Sequence, residues 1–126
     1  METMPTKIIR VLLGLLLLFG GINKFVSIGP APEHNEIGGA FLGALAASGY
    51  MFPIIGLVEL FCGAAFVAGR FVALAAVLLA PIAINIVLFH AVLNPTGAGP
   101  GYFVGVANVY LLAISFSKYQ DMLMPR

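Results

Sequence analysis

Four long apolar segments dominate the chain, and glycine, proline and polar residues separate them. A bilayer core about 30 Å thick requires roughly 20 mainly apolar residues per helix, and each segment comes close to that length. The pattern therefore predicts an all-α fold, an integral membrane bundle of four transmembrane helices that forms one membrane domain over residues 1–126. The predicted spans are residues 8–28, 50–68, 71–93 and 101–118.

The connections between these segments indicate how the helices are arranged. Only Gly69 and Arg70 join the second and third spans, which predicts antiparallel neighbours. Residues 94–100 contain two prolines and two glycines, and predict an uncharged turn before the fourth span. The longest connection, residues 29–49, becomes apolar over residues 37–48, a stretch too short to cross a membrane. We expect it to form a short interfacial helix or an extension packed at the mouth of the bundle.

The composition agrees with a membrane environment. Of 126 residues, 61% are hydrophobic and only 9% are charged, and the mean hydropathy is +1.07. A soluble domain of this size needs many more charged residues to cover its surface. The net charge of +1, without clustered Lys or Arg, excludes nucleic-acid binding. A single cysteine, Cys62, excludes dithiol chemistry within the chain.

The positive charges predict the orientation of the four spans. Lys and Arg near the ends of spans are retained on the cytoplasmic side of a membrane. With four spans, only Lys24 lies toward the other side. Both termini are therefore predicted to be cytoplasmic, together with the remaining basic residues, which are Lys7, Arg10, Arg70, Lys118 and Arg126.

Five polar residues inside the predicted spans fall in the half of the membrane opposite the termini. Insertion of a charge at mid-membrane costs roughly 2.5 to 3.5 kcal/mol, so such residues usually face the interior of the bundle and have partners. Glu59 is the deepest, roughly 13 Å from the outer end of its span, and the long side chain of Lys24 can reach it. The predicted buried polar network or ligand-binding site consists of Lys24, Glu59, Asn85, His90 and Asn108.

Glycines share helical faces with two of these residues. Gly56 and Gly63 lie on one stripe with Glu59, and small residues in membrane helices mark close approach of two backbones. The same spacing links Gly101 and Gly105 to Asn108 in the fourth span. These polar side chains are therefore predicted to point inward.

Asn85 and His90 raise a geometric problem, because an ideal helix places them about 140° apart. Both can face one cavity only if Pro81 rotates the helix, or if His90 lies at the open rim. Asn85 follows Pro81 by four residues, where the missing backbone donor interrupts the helix hydrogen bonds.

Two hypotheses for the polar residues stay open. They can be a structural network between helices, worth about 0.6 kcal/mol per hydrogen bond, with His90 as an anchor at the membrane interface. Alternatively, they can form a pocket that binds a small hydrophobic or quinone-like molecule or supports proton movement. Residues 33–36, which include one histidine and two glutamates, are expected to be solvated, and no metal site is predicted.

The segments that carry these residues resemble the DoxX family of small bacterial membrane proteins. The resemblance covers nearly the whole chain and rests on residues 12–25 (LLGLLLLFGGINKF), 49–60 (GYMFPIIGLVEL) and 80–90 (APIAINIVLFH). It implies a four-helix membrane fold in the bacterial plasma membrane. The family is named through a subunit of a thiosulfate:quinone oxidoreductase, which implies a link to membrane redox systems.

The resemblance favours an accessory or quinone-linked component of a membrane redox system, at most a quinone-interacting oxidoreductase subunit. The chain has no dithiol, no paired haem-ligand histidines within the spans and no nucleotide-binding loop, so electron transfer would require a bound quinone or a partner subunit. Expected partners are the lipid bilayer, a redox subunit or further copies of the chain. The alternatives are a non-catalytic subunit that recruits a partner and, last, a small solute or proton carrier.

Overall fold

The computed structural model describes residues 2–28 and 33–125, and within these ranges every regular element is helical. This confirms the predicted all-α class. Residues 29–32, at the start of the predicted long connection, and Arg126, used in the charge count, lie outside the described residues. The α-helices are α1 (Met4–Asn23), α2 (Glu36–Ala47), α3 (Met51–Ala68), α4 (Val72–Leu88) and α5 (Gly99–Ile114). A π-helical segment (Phe89–Leu93) continues α4, and a 3-10 helix (Phe116–Tyr119) follows α5.

Three helices in the described part of the chain are long and apolar enough to cross a membrane: α1, α3, and α4 together with its π-helical continuation. The fourth predicted span corresponds to α5, which has 16 residues and is followed by the 3-10 helix. The apolar stretch predicted at residues 37–48 forms α2, a helix of 12 residues.

The first helix begins and ends earlier than its predicted span. Thr3 caps α1 by accepting a hydrogen bond from the Thr6 backbone N–H, and a proline occupies the first turn. At the other end, the Asn23 side chain accepts a hydrogen bond from the Ile28 backbone N–H at 2.8 Å, within a turn that leads out of the helix. The apolar residues after Asn23 therefore belong to the connection.

Close backbone packing holds α1 against α3. A Cβ atom added to Gly63 would lie 2.8 Å from the Gly14 carbonyl oxygen, and one added to Gly14 would lie 2.8 Å from the Gly63 carbonyl oxygen. Glycine at both positions lets the two backbones touch, as small residues do at helix crossings in membranes. Helix α3 also packs on α4, and α4 packs on α5.

The bundle has two distinct halves. We call the terminal half the end that contains the start of α1, the end of α3, the start of α4 and the end of α5. The pocket half contains the opposite ends of these helices together with α2. Most of the closely packed core lies from the middle of the bundle toward the terminal half, and includes Leu13, Leu17, Cys62, Phe66, Ala75, Leu79 and Leu111.

Polar contacts between helices hold the terminal half together. The Arg10 guanidinium donates a hydrogen bond to the Phe66 carbonyl near the end of α3, and it pairs with the Glu2 carboxylate, with Nε 2.8 Å from Oε2. The hydroxyl oxygens of Thr6 and Tyr110 lie 2.5 Å apart and link α1 to α5. The buried Arg10 was not among the predicted polar network, although a charge within an apolar helix is the relevant signal.

Candidate functional site

The pocket half contains a buried ion pair between α1 and α3. The Lys24 Nζ atom lies 2.6 Å from the Glu59 Oε1 atom, and the Glu59 side chain is 6% exposed, against 24% for Lys24. Lys24 is the C-terminal capping residue of α1, and its ammonium also donates to the Gly20 carbonyl at 3.4 Å. The side chain therefore folds back along its own helix to reach the carboxylate.

Glycines make room for this ion pair. A Cβ atom added to Gly56 would lie 2.8 Å from the Phe25 ring and 3.3 Å from the Lys24 Cβ atom. A Cβ atom added to Gly20 would lie 3.4 Å from the Glu59 Oε2 atom, an ordinary contact distance. Gly56 is therefore required for the crossing of the two helices, whereas Gly20 leaves space beside the carboxylate.

The ion pair opens into a cavity of about 450 Å³. Four of the five predicted site residues, Lys24, Glu59, Asn85 and His90, line this cavity. Its remaining walls are apolar and come from α2, α3 and α4. A largely apolar cavity with a few polar groups is typical of sites that bind small molecules.

The Asn85 side chain donates a hydrogen bond to the Pro81 carbonyl at 2.9 Å, one turn earlier on α4. This bond keeps the amide close to its own helix, at the turn that the proline interrupts. The residue borders the cavity but is exposed, so it is not part of the buried polar network that was predicted. Asn85 thus adds a polar group to the cavity wall.

His90 lines the same cavity from the π-helical segment that continues α4. The Asn94 backbone N–H donates to the Phe89 carbonyl at 2.8 Å, five residues earlier, which is the bonding pattern of a π-helix. The wider turn alters the angle between successive residues, so the separation expected from an ideal helix does not apply. A Cβ atom added to Gly101 would overlap the His90 ring, so this glycine leaves space for the imidazole.

Asn108 lies apart from the other four residues. It is buried, and its amide donates a hydrogen bond to the Ala76 carbonyl at 2.9 Å. It borders a second, mainly apolar groove between α4 and α5. The structure therefore places Asn108 at a contact between helices and not at the cavity.

The part of the cavity wall that α2 forms, which we call the roof, was not predicted from the sequence. Phe41, Leu42 and Leu45 of α2 line the cavity, although residues 37–48 were interpreted only as an interfacial helix or an extension at the bundle mouth. Their mainly apolar character was the available signal, but it does not reveal which surface the helix covers.

Two further observations limit the chemistry that these residues can perform. Cys62 is fully buried, and its thiol donates to the Ala75 carbonyl at 3.4 Å. Among residues 2–28 and 33–125, no group of three His, Cys, Asp or Glu side chains is placed to hold a metal ion. The polar chemistry of the cavity therefore comes from an ammonium, a carboxylate, an amide and an imidazole.

Comparison with known proteins gives one match. The model of the DoxX family matches residues 6–91, a stretch that includes the four cavity residues and ends within the π-helical segment. No curated protein and no solved structure matches the chain.

Proposed function

The chain belongs to the DoxX family, and on that basis we propose that it is a membrane protein that binds a quinone-like molecule, as an accessory or quinone-linked component of a membrane redox system. One observation carries the proposal: a Lys24–Glu59 ion pair opens, beside Asn85 and His90, into a cavity with apolar walls. Ionisable residues at membrane depth usually mark functional sites.

The cavity suits a molecule with a polar head and an apolar body. Its volume of about 450 Å³ lies within the range of about 300 to 1,000 Å³ that is usual for small-molecule sites. The Lys24 ammonium and the His90 ring can donate hydrogen bonds to carbonyl oxygens, and the Glu59 carboxylate can hold a proton. A quinone, when bound, supplies two-electron chemistry coupled to protons.

The proposal includes a single domain over residues 1–126 with four spans, both termini in the cytoplasm and residence in the bacterial plasma membrane. The α5 helix is about 24 Å long at 1.5 Å per residue, and the 3-10 helix lengthens this segment. A short span is accommodated by local thinning of the bilayer. Lys7, Arg70 and Lys118 lie at the terminal half, as the distribution of positive charge requires.

Labelling of a single cysteine tests the orientation. With Cys62 replaced by alanine, a cysteine placed at Thr96 in the connection between α4 and α5 should react with a membrane-impermeant maleimide on intact cells. A cysteine at Arg70 should react only after the membrane is permeabilised. The opposite pattern would place the termini outside the cytoplasm.

Extraction of the gently purified protein with organic solvent, followed by mass spectrometry, tests the ligand. We expect a quinone in stoichiometric amount from the parent protein and little from the His90→Ala variant, because the imidazole offers a hydrogen bond in the cavity. His34→Ala is the matched control, since this second histidine is exposed and does not line the cavity. Retention of the quinone by His90→Ala, or its absence from the parent, would overturn the proposed site.

A specific observation favours one other function, that of a non-catalytic subunit whose polar residues fix the helices in register. The Asn108 amide of α5 donates a hydrogen bond to an α4 carbonyl, which ties the two helices together. In that function, no small molecule would accompany the parent protein. The extraction experiment therefore separates the two.

A further inference from the structure

The α2 helix covers the cavity but is only lightly attached to the bundle. Phe41, Leu42 and Leu45 face the cavity, yet Gly38 is the one buried residue among the twelve of this helix. Ile37, at its start, is 62% exposed. Packing contacts and hydrogen bonds hold helices together in a membrane, and α2 has few buried side chains, so it is held weakly.

The carboxyl end of α2 is joined directly to α3. The Ser48 hydroxyl oxygen accepts hydrogen bonds from the backbone N–H groups of Tyr50, at 3.3 Å, and Met51, at 3.1 Å. Gly49, between Ser48 and Tyr50, has a φ of +81°, a backbone conformation that favours glycine. This short connection keeps the end of α2 attached to the start of α3.

The amino end of α2 is held by a pair of asparagines, which we call the latch. The Asn35 backbone N–H donates to the Asn94 Oδ1 atom at 2.7 Å, and the Asn35 amide donates to the Leu93 carbonyl at 2.6 Å. Asn94 is 1% exposed. The latch thus fastens α2 to the end of the π-helical segment.

The latch contacts a residue of the cavity. The His90 Nδ1 atom lies 3.1 Å from the Asn94 carbonyl oxygen, so the same asparagine holds α2 through its side chain and His90 through its backbone. A change in the hydrogen bonding of His90 therefore acts on a residue that fastens the roof.

We propose that α2 is a hinged lid, which pivots at residues 48–50 and opens when the Asn35–Asn94 latch is released, to admit a ligand from the bilayer. The admission of a ligand rests on the proposed function of the cavity, whereas the motion of α2 does not. The exposed apolar residues of α2 and its single charged residue, Glu36, indicate that the lid lies against lipid, so that entry is lateral.

Two adjacent glycines provide a matched test. A Cβ atom added to Gly38 would lie 2.8 Å from the Asn94 Cβ atom and 3.1 Å from the Asn35 Oδ1 atom, so Gly38→Ala pushes the latch apart. A Cβ atom added to Gly39 meets nothing within 4 Å. Gly39→Ala therefore leaves the latch intact and favours the helix.

Pulsed electron paramagnetic resonance of two spin labels measures the position of the lid without a ligand. The labels are attached at Ala40 on α2 and at Val106 on α5, both exposed, in a Cys62→Ala background in lipid nanodiscs. Ala40 lies about 13 Å from the pivot at 1.5 Å per residue, so a moderate swing displaces it by roughly 5 Å. Gly38→Ala should shift the distance distribution by this amount, and Gly39→Ala should leave it at the parent value.

Asn35→Ser is a second latch variant that introduces no steric clash. Serine still caps α2, as Asn35 does by accepting a hydrogen bond from the Gly38 N–H, but it is too short to reach the Leu93 carbonyl. It should populate the same displaced distance, to a smaller extent. The lid is overturned if both latch variants fold and give the distance distribution of the parent. If Gly38→Ala does not fold, Asn35→Ser alone decides.

Binding of decylubiquinone, used as the probe, tests the connection to the cavity. Dissociation from Gly38→Ala should be about tenfold faster than from the parent, as expected for loss of the latch hydrogen bonds, and unchanged in Gly39→Ala. An unchanged rate in Gly38→Ala would overturn lateral entry through the lid. If the parent does not bind decylubiquinone, the proposed function fails, whereas the distance measurement still decides whether α2 moves.

Discussion

In the terminal half, buried polar groups join one helix to another, and backbones pack in direct contact. Arg10 reaches the end of α3, Thr6 meets Tyr110 on α5, and the Tyr119 hydroxyl donates to the Ala73 carbonyl at 2.7 Å. In the pocket half, the Lys24–Glu59 pair borders a cavity. The comparison indicates that one half maintains the structure, while the other carries polar groups with unused hydrogen-bonding capacity.

The two ion pairs, Glu2–Arg10 and Lys24–Glu59, differ in the same way in their surroundings. Glu2 is partly exposed and covers a buried arginine from outside, whereas Glu59 is buried beside a partly exposed lysine. A buried carboxylate with one cationic partner is costly to maintain. Its presence beside open space is easier to explain by function than by stability.

The largest expected effect comes from a test of backbone contact in the terminal half. Gly63→Ala places a methyl group 2.8 Å from the Gly14 carbonyl oxygen and against Leu18, and neither backbone can move away without separating α1 from α3. We expect a loss of about 3 kcal/mol, at the upper end for overpacking, measured by unfolding in mixed detergent micelles.

Gly20→Ala is the matched variant in the pocket half. Its methyl group meets only the Glu59 carboxylate at 3.4 Å or more, so the stability should stay near that of the parent. Equal losses for the two variants would show that α1 is packed as tightly beside the Glu59 carboxylate as it is at the Gly14–Gly63 contact.

The next effect concerns the ion pair. Glu59→Gln leaves the Lys24 ammonium without its anion, and we expect a loss of about 2 kcal/mol, below the roughly 3 to 5 kcal/mol of a fully buried pair, because Lys24 is partly exposed. Combining it with Lys24→Met removes the unpaired charge and should recover part of the loss. Purely additive losses from the two single changes would mean that the pair is not coupled.

The sequence was sufficient to predict that the chain is helical and that Lys24 can pair with Glu59. Apolar segments of membrane length predict helices because unpaired backbone groups are not tolerated in lipid. Lys24 and Glu59 could be paired because each lies at a similar depth and a charge there requires a partner. The structure brings the two together at 2.6 Å.

The rest of the site depends on contacts that hydropathy does not encode. His90 lines the cavity from the π-helical segment Phe89–Leu93, and no residue pattern in the sequence predicted this segment. The stripe of Gly101, Gly105 and Asn108 does face α4, since added Cβ atoms on the glycines would meet His90 and Val87. Asn108 therefore points at a neighbouring helix. The glycine stripe predicted that this side chain points inward, but it did not indicate whether the side chain meets a helix or the cavity.

The smallest expected effect is a pH dependence at the edge of the terminal half. Hydrogen bonds from Arg10, at 2.8 and 3.0 Å, lower the pKa of Glu2 below its ordinary value of 4.5. A carboxyl with a lowered folded-state pKa contributes stability above its unfolded-state pKa, and this contribution is lost as the pH falls through the folded-state value. Because Glu2 is more than a third exposed, the contribution should be below about 1 kcal/mol.

Melting of the parent protein and of Glu2→Gln in detergent, from pH 7 down to pH 3, measures this contribution. The difference in melting temperature between the two proteins should be small and constant at neutral pH, and should shrink as Glu2 becomes protonated below its ordinary pKa. Every other ionisable group is the same in both proteins, so the difference isolates Glu2. A difference that stays constant down to pH 3 would show that the arginine is held by the Phe66 carbonyl and not by this carboxylate.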